Sequence, residues 1–262
     1  MTKLSEFAFT KPAFAMAFSL LTFLQNVFSL LLGGEKCLVC SDWALRIPLC
    51  KKCSSLLWNI GFERCCSKCG KPLISEIGLC SLCRKSPALQ NVDAAYSLHC
   101  YQLWKKSLLF AWKLEDKRTL SVYFAALVYR KLKSIEEENG IPLAVVPVPP
   151  RPGKIKERGW DQIDELCWYL RKGWGVKILP LLERISKVQQ KKLDREGRVE
   201  GINSSYRLKN EKKVKKICKE VPPALVLVDD VMTTGSTIES CARQLKKFGV
   251  EQVFSITLFT VD

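Results

Sequence analysis

The chain carries a single histidine among 262 residues, and that residue, His99, stands outside every motif in the sequence. A structural role is expected of it, and no general base is visible elsewhere. No G-x-x-x-x-G-K-S/T occurs, which excludes a P-loop nucleotide site, and no G-x-G-x-x-G occurs either. There is no internal repeat beyond paired cysteines and no low-complexity tract. With 47% apolar and 26% charged residues, disorder and a collagen-like chain are excluded. Acidic residues are the scarce charge: 26 Asp+Glu against 42 Lys+Arg leave a formal net charge of +16. That excess points to a polyanionic partner, a phosphorylated ligand or an anionic membrane face, and says nothing about fold. The stretch 150–220 alone holds 20 basic and 10 acidic residues. The length suffices for one large domain or two smaller ones with a sizeable core.

Cysteine is abundant and unevenly placed. Nine of the 13 cysteines lie between Cys37 and Cys83, and eight of these form four C-x-x-C pairs: Cys37/Cys40, Cys50/Cys53, Cys66/Cys69 and Cys80/Cys83. Two thiolates at this spacing bind one ion from a tight turn, and two such turns complete a tetrahedron. The pattern is that of two structural zinc ions in a reducing, cytoplasmic compartment rather than a disulfide framework. Neighbouring pairs share an ion, or the first pairs with the third in a cross-brace; spacing alone allows both. Eight zinc-bound thiolates would lower the net charge to about +12. A closed four-sulfur site has no open position, so these ions build structure rather than perform chemistry. Cys65 is a spare beside Cys66. Cys100, Cys167, Cys218 and Cys241 are isolated and expected in the core.

Residues 13–34 contain no charge, and their apolar positions form one helical stripe. A buried or partner-binding helix is expected. An interfacial or spanning membrane anchor is the less favoured reading, because Gln25 and Asn26 sit mid-segment, and an uncleaved signal-like segment is a third. From residue 92 the texture alternates. Strands are expected over 92–98, 143–148, 176–179, 224–228 and 253–258, and helices over 103–132 (broken near Asp116), 163–172 and 236–248. Short apolar strands alternating with helices predict an α/β fold with a parallel sheet covered on both faces.

The sharpest signal is LVLVDDVMTTGST over 225–237. A buried strand runs into Asp229 and Asp230, then into a hydroxyl-rich turn around Gly235, then into a helix. Helix N-terminal N–H groups together with the hydroxyls of Thr233, Thr234, Ser236 and Thr237 form an anion cradle. Two carboxylates just before it can accept hydrogen bonds from a ribose diol, so the pattern describes a sugar 5-phosphate site. Gly235 is expected to keep that turn open, a side chain there crowding the phosphate. A phospho-receiver domain would need further strands and a lysine, and only 32 residues follow Asp230.

This segment resembles the phosphoribosyl-pyrophosphate (PRPP) motif of type I phosphoribosyltransferases, and with the cysteine block the chain closely resembles the competence protein ComF family. AVVPVPP over 144–150 followed by KERGWDQ over 156–162 is similar to the family's strand and RERGFNQ segment. LDREGR over 193–198, leading to Tyr206, resembles a second stretch, and Trp112-Lys113 resembles an aromatic–lysine pair. Asp161 and Gly201 stand where the family has asparagine, and Ser204-Ser205 where it has Gly-Ala.

The apolar helix is assigned to 1–35 from its hydropathy; after it the resemblance implies a double zinc ribbon over 36–88 and a phosphoribosyltransferase-like domain over 89–262. It implies that Asp229 and Asp230 hold the ribose diol and that residues 233–237 hold the 5-phosphate. Arg151, Arg158 and Gln162 would lie in the pyrophosphate-side loop, with Mg²⁺ screening the pyrophosphate as it leaves. It further implies a place in DNA uptake, with single-stranded DNA and other competence proteins as partners. Lys209, Lys212, Lys213, Lys215, Lys216 and Lys219 form a basic run; it is read as a solvated face or, with Trp160, Trp168 and Trp174 as stacking rings, as a surface for single-stranded DNA.

Overall fold

The computed structural model of the chain describes residues 35–45, 47–58, 65–73, 76–100, 104–185 and 205–261. The expected helix over 13–34 and the family-like stretch 193–198 lie outside the described residues. The first elements belong to the cysteine block: β1 (Glu35–Lys36), β2 (Trp43–Ala44), α1 (Lys51–Trp58) and α2 (Ser81–Lys85). Then follow β3 (Ala94–Cys100), α3 (Trp104–Leu114), α4 (Leu120–Asn139), β4 (Ala144–Pro147), α5 (Lys154–Arg158) and α6 (Gln162–Trp174). The chain continues through β5 (Leu182–Arg184), β6 (Tyr206–Leu208), α7 (Glu211–Ile217), β7 (Ala224–Met232), α8 (Ser236–Lys247) and β8 (Gln252–Thr260). The expected break of the long helix is present: Asp116 takes a left-handed conformation, φ 52°, between α3 and α4.

Four parallel strands form the central sheet in the order β3-β8-β7-β4. Strand β7 is buried on both faces, and its side chains alternate between two cores. Val226 and Val228 face one core with Trp112, Phe124 and Leu166, while Leu225 and Leu227 face the other with Ile238 and Leu245. This is the α/β sheet with flanking helices that the sequence predicts. The expected strand over 176–179 is instead a single parallel bridge, Val145 to Ile178, flanked by bonds from Val145 N to Lys177 O and from Leu179 N to Val145 O. Prolines at 147, 149 and 150 remove the donors a longer ladder on β4 would need. An antiparallel hairpin of β5 and β6, not foreseen in the sequence, follows.

Each core also takes in one set of cysteines. Cys37, Cys50 and Cys53 lie in the core beneath α4, where Tyr123 donates to Ser54 O and Arg130 donates to Trp58 O at 2.7 Å. Cys66, Cys69, Cys80 and Cys83 belong to the core beneath α8. The sulfurs of Cys37, Cys40, Cys50 and Cys53 lie within 4.8 Å of one another, as do those of Cys66, Cys69, Cys80 and Cys83. Neighbouring pairs therefore share a site, and the cross-brace is not adopted. A tetrahedral zinc at about 2.3 Å from each sulfur requires sulfurs about 3.8 Å apart; Cys40–Cys50 at 3.5 Å and Cys69–Cys80 at 3.8 Å fit it. Burial would raise the Cys37 and Cys66 thiols, but backbone N–H groups around each turn outweigh it and bring both down to about 7. Cys65 stays outside the quartet, exposed, and Cys167 and Cys241 are buried as expected.

The second quartet also closes one edge of the sheet. Ala95 N on β3 donates to Lys68 O, and Gly70 is pressed so closely that a Cβ there would lie 2.5 Å from Ala95 O. Only glycine fits this contact, at φ +68°. Among the described residues no helix is long and apolar enough to cross a membrane.

The two quartets predict close to two zinc ions per chain by elemental analysis after chelator-free purification. Cys53→Ser and Cys80→Ser should each remove about one ion and lower Tm by on the order of 10 °C, since metal binding is folding free energy here. One ion or none in the parent protein would remove the two-site reading.

Candidate functional site

The site is created by two neighbouring strands of unequal length. Parallel pairing of β4 with β7 stops at Pro147–Val228, and Val148 N closes it on Val228 O. Strand β7 runs on for four residues, through Met232, because β8 reaches Thr260 and supplies partners on its other side. Asp229 and Asp230 are therefore inside the strand rather than at its end, as the sequence suggested. On the side vacated by β4 they are half-buried at the carboxyl edge of the sheet, where ligands of open α/β sheets bind.

Asp229 accepts a hydrogen bond from the N–H of Asp230 at 2.8 Å. Burial, and after it the charge of Asp230, push the Asp229 carboxyl up to about 8, against the pull of that N–H and of Lys113. Lys113 Nζ lies 2.6 Å from Asp230 Oδ2. The same residue is engaged at its other end: its carbonyl accepts from Arg158 at 2.5 Å and from Gln162 at 3.4 Å. Lys113 thus joins the acidic pair to the 151–162 segment. Gln162 is held in turn by Lys154, whose ammonium also pairs with buried Asp161 at 2.6 Å. Asp161 Oδ1 caps α6 by accepting from Ile163 N and Asp164 N. The cap explains why aspartate serves where asparagine would, since either offers the acceptor, while only aspartate also pairs with Lys154. Arg151 is not brought to the acidic pair; it is exposed and paired with Glu157.

Beyond Met232 the chain turns over residues 233–235 into α8. Thr233, Thr234 and Ser236 are exposed, with Thr234 and Ser236 hydroxyls 2.8 Å apart, and Thr234 Oγ1 also accepts a long hydrogen bond from Ser236 N at 3.3 Å. Thr237 hydrogen-bonds Tyr206 of β6, and Arg184 of β5 lies over the Tyr206 ring at 5.4 Å. A helix N-terminus ringed by hydroxyls, with an arginine close by, has the donors for a phosphate. Gly235 has the left-handed φ of +80° that the turn requires, yet an added Cβ would meet Leu89 Cδ2 at 2.9 Å rather than the cradle's mouth. The position is closed by the segment after the second quartet, which also sends Asn91 onto buried Glu239 in the first turn of α8.

Sequence reasoning missed Arg184, Leu89 and Glu239, and saw Lys113 and Tyr206 only as parts of family-like stretches. None of these carries a local signature, because each reaches the site through tertiary packing. His99 is buried, its Nε2 has no hydrogen-bond partner, and burial holds it down to about 3. It is neutral and forms part of the core. The stacking rings foreseen beside the basic run are corrected: Trp160 and Trp174 are buried, Trp160 donating to Asp116 and Trp174 stacking on Tyr129. Trp168 is 42% exposed.

No family model matches the chain. It is 24% identical over 211 residues to competence protein ComFC of Streptococcus pneumoniae, covering 80% of this chain and 86% of that protein. It is 24% identical over 212 residues to competence protein F of Haemophilus influenzae, covering 78% of this chain and 87% of that protein. It is 23% identical over 232 residues to DNA utilization protein YhgH of Salmonella typhi, covering 80% and 92%. These alignments, the paired cysteine quartets and the parallel sheet agree in making the chain similar to the ComF-type competence and DNA utilization proteins.

Proposed function

We propose that the protein binds PRPP, or a related ribose 5-phosphate, at the carboxyl edge of β7 in the cytoplasm, and that it serves DNA uptake or utilization, as its relatives' names suggest. The observation that carries the reading is the continuous run from a half-buried acidic pair into a hydroxyl-lined helix N-terminus. Asp229 and Asp230 accept the two ribose hydroxyls. The turn over 233–237 donates to the 5-phosphate through backbone N–H groups and the Thr233, Thr234, Ser236 and Thr237 hydroxyls. Arg158 and Gln162, anchored on the Lys113 carbonyl, flank the pyrophosphate side. With an acceptor present, pyrophosphate would leave C1 of the ribose through an oxocarbenium-like state. Among the described residues the cysteine quartets are the only clusters of metal-ligating side chains. Mg²⁺ would therefore be carried by the diphosphate and supply screening of its charge.

The basic run supports a second role. Lys212, Lys213, Lys215, Lys216 and Lys219 are exposed on and after the short helix α7, from which only Val214 is buried. Lys209 is half-buried, and burial lowers its pKa. The side chains radiate rather than form one stripe, which suits a surface that tracks a flexible polyanion such as single-stranded DNA.

Calorimetric titration tests the first reading. Asp229→Asn with Asp230→Asn should weaken PRPP binding tenfold or more, as each hydrogen bond to a charged acceptor contributes about 1.5–3 kcal/mol. Unchanged binding would reduce the turn to a structural element. A pH series gives an independent check. A diol acceptor must be ionised, so parent affinity should fall about tenfold per unit as pH drops below 8. For the ligand-free protein the sign is reversed. A carboxyl whose folded pKa is raised above its unfolded value loses stability as pH rises, here between about 4 and 8. Asp229→Asn should remove that slope and melt a few degrees above the parent at pH 9.

For the second role, replacing the five exposed lysines with glutamine should flatten the plot of log affinity against log salt by about 0.7 per lost phosphate contact. An unchanged slope would assign the run to ordinary solvated surface.

A further inference from the structure

One of the two acceptors that a ribose diol needs already has a partner. Lys113 Nζ lies 2.6 Å from Asp230 Oδ2, so a sugar hydroxyl reaches that oxygen only by displacing an ammonium. The exchange is unfavourable by itself. A charge-assisted hydrogen bond is roughly twice as strong as a neutral one, and the displaced cation would be left unpaired beside a half-buried site. The acidic pair tolerates the separation no better. Burial and the charge of Asp230 already push the Asp229 carboxyl up, and Lys113 is among the groups that pull it down. Lys113 is also built to move at one end only. Its backbone is fixed by the buried Trp112 next to it and by its own carbonyl, which accepts from Arg158 and Gln162. Its side chain is 29% exposed, and the ammonium stands on a flexible four-carbon stem.

We infer that Lys113 is a specificity-determining residue: it releases Asp230 to the ribose diol only when the ligand carries an anionic group on C1 that takes over its ammonium. The inference rests on the phosphoribosyl reading of the acidic pair. In PRPP the diphosphate stands on C1, next to C2 and on the ring face that carries both hydroxyls. Diol and replacement anion therefore arrive in one molecule, and the ammonium changes partner over a short swing. Ribose 5-phosphate and nucleoside monophosphates present the same 5-phosphate without an anion on C1, and for them the displaced charge stays unpaired. The cradle over 233–237 does not make this distinction, because it meets only the 5-phosphate common to all three. Discrimination comes from the penalty set on the wrong ligand rather than from added contacts to the right one. The carbonyl of the same residue anchors Arg158 and Gln162, so the ammonium that leaves Asp230 belongs to the side of the cleft those two residues flank.

Calorimetric titrations of the full-length, zinc-loaded protein test this at pH 9, where Asp229 is ionised, with Mg²⁺ present throughout. The parent should bind PRPP about tenfold or more tightly than ribose 5-phosphate. Lys113→Met removes the ammonium and keeps the carbonyl. It should weaken PRPP binding by about tenfold or more, while ribose 5-phosphate binds at least as tightly as to the parent. Lys113→Arg should restore the preference for PRPP. A second measurement needs no variant: inorganic pyrophosphate should tighten ribose 5-phosphate binding to the parent, because it supplies the missing anion. Equal weakening of both ligands in Lys113→Met would make Lys113 a structural part of the cleft and overturns the inference. So does a variant that leaves both affinities unchanged, or a parent whose ribose 5-phosphate affinity ignores pyrophosphate. Each of these results leaves the phosphoribosyl reading intact. A parent protein that binds neither ligand removes that reading and the inference with it.

Discussion

Strand β7 imposes the constraint from which the rest of the architecture follows. Its first five residues are fully covered on both faces, so the sheet must carry helices on each side, and charge can enter only where that cover ends. The cover ends on one flank at Val228, where the prolines after β4 stop the ladder, and continues on the other, where β8 still pairs. This asymmetry holds two adjacent carboxylates rigidly with an open cleft beside one flank. Burial, and after it the adjacent Asp230 charge, raise the Asp229 carboxyl, while the Lys113 ammonium pairs with Asp230. A pair of aspartates on a free loop would do neither.

Sharing a single residue between two functions recurs around this cleft. Lys113 neutralises the acidic pair with its side chain and orients Arg158 and Gln162 with its carbonyl. Asp161 caps a helix with one oxygen and pairs with Lys154 through the other. The 89–91 segment follows the second quartet and fixes α8 at two points, Leu89 against Gly235 and Asn91 on Glu239. Among the described residues the first quartet has no such connection. It braces α4, on the far face of the sheet. The two metal-binding turns are similar in sequence and unequal in consequence.

What could be read from the sequence was what local chemistry dictates. The apolar runs of β7 and β8, the break at Asp116 and the acidic pair leading into Thr-Thr-Gly-Ser-Thr are all encoded within a few residues. Paired thiols fixed eight candidate ligands, but their grouping depended on how the intervening loops fold back, and spacing alone left two answers. The β5–β6 hairpin was invisible because its strands are short and separated by more than twenty residues in sequence. The tryptophans misled for a related reason. Three indoles near a lysine run look like a stacking platform, yet two of them are large apolar groups whose burial outweighs any surface use. Charge near a site can be read locally, whereas the choice between core and surface for an amphipathic ring is made by the whole fold.

The contact between Gly70 and Ala95 has a consequence for how the protein behaves outside the native state. Strand β3 is the terminal strand of the sheet, and its outer ladder is sealed by a loop whose shape is set by four sulfurs. Loss of the ion would release that loop before the sheet itself melts, leaving a ready-made row of unpaired backbone donors and acceptors on a seven-residue strand. Such an edge recruits strands from other chains. With zinc in the second quartet, chelation is therefore expected to be seen first as turbidity and poor recovery rather than as a clean unfolding transition.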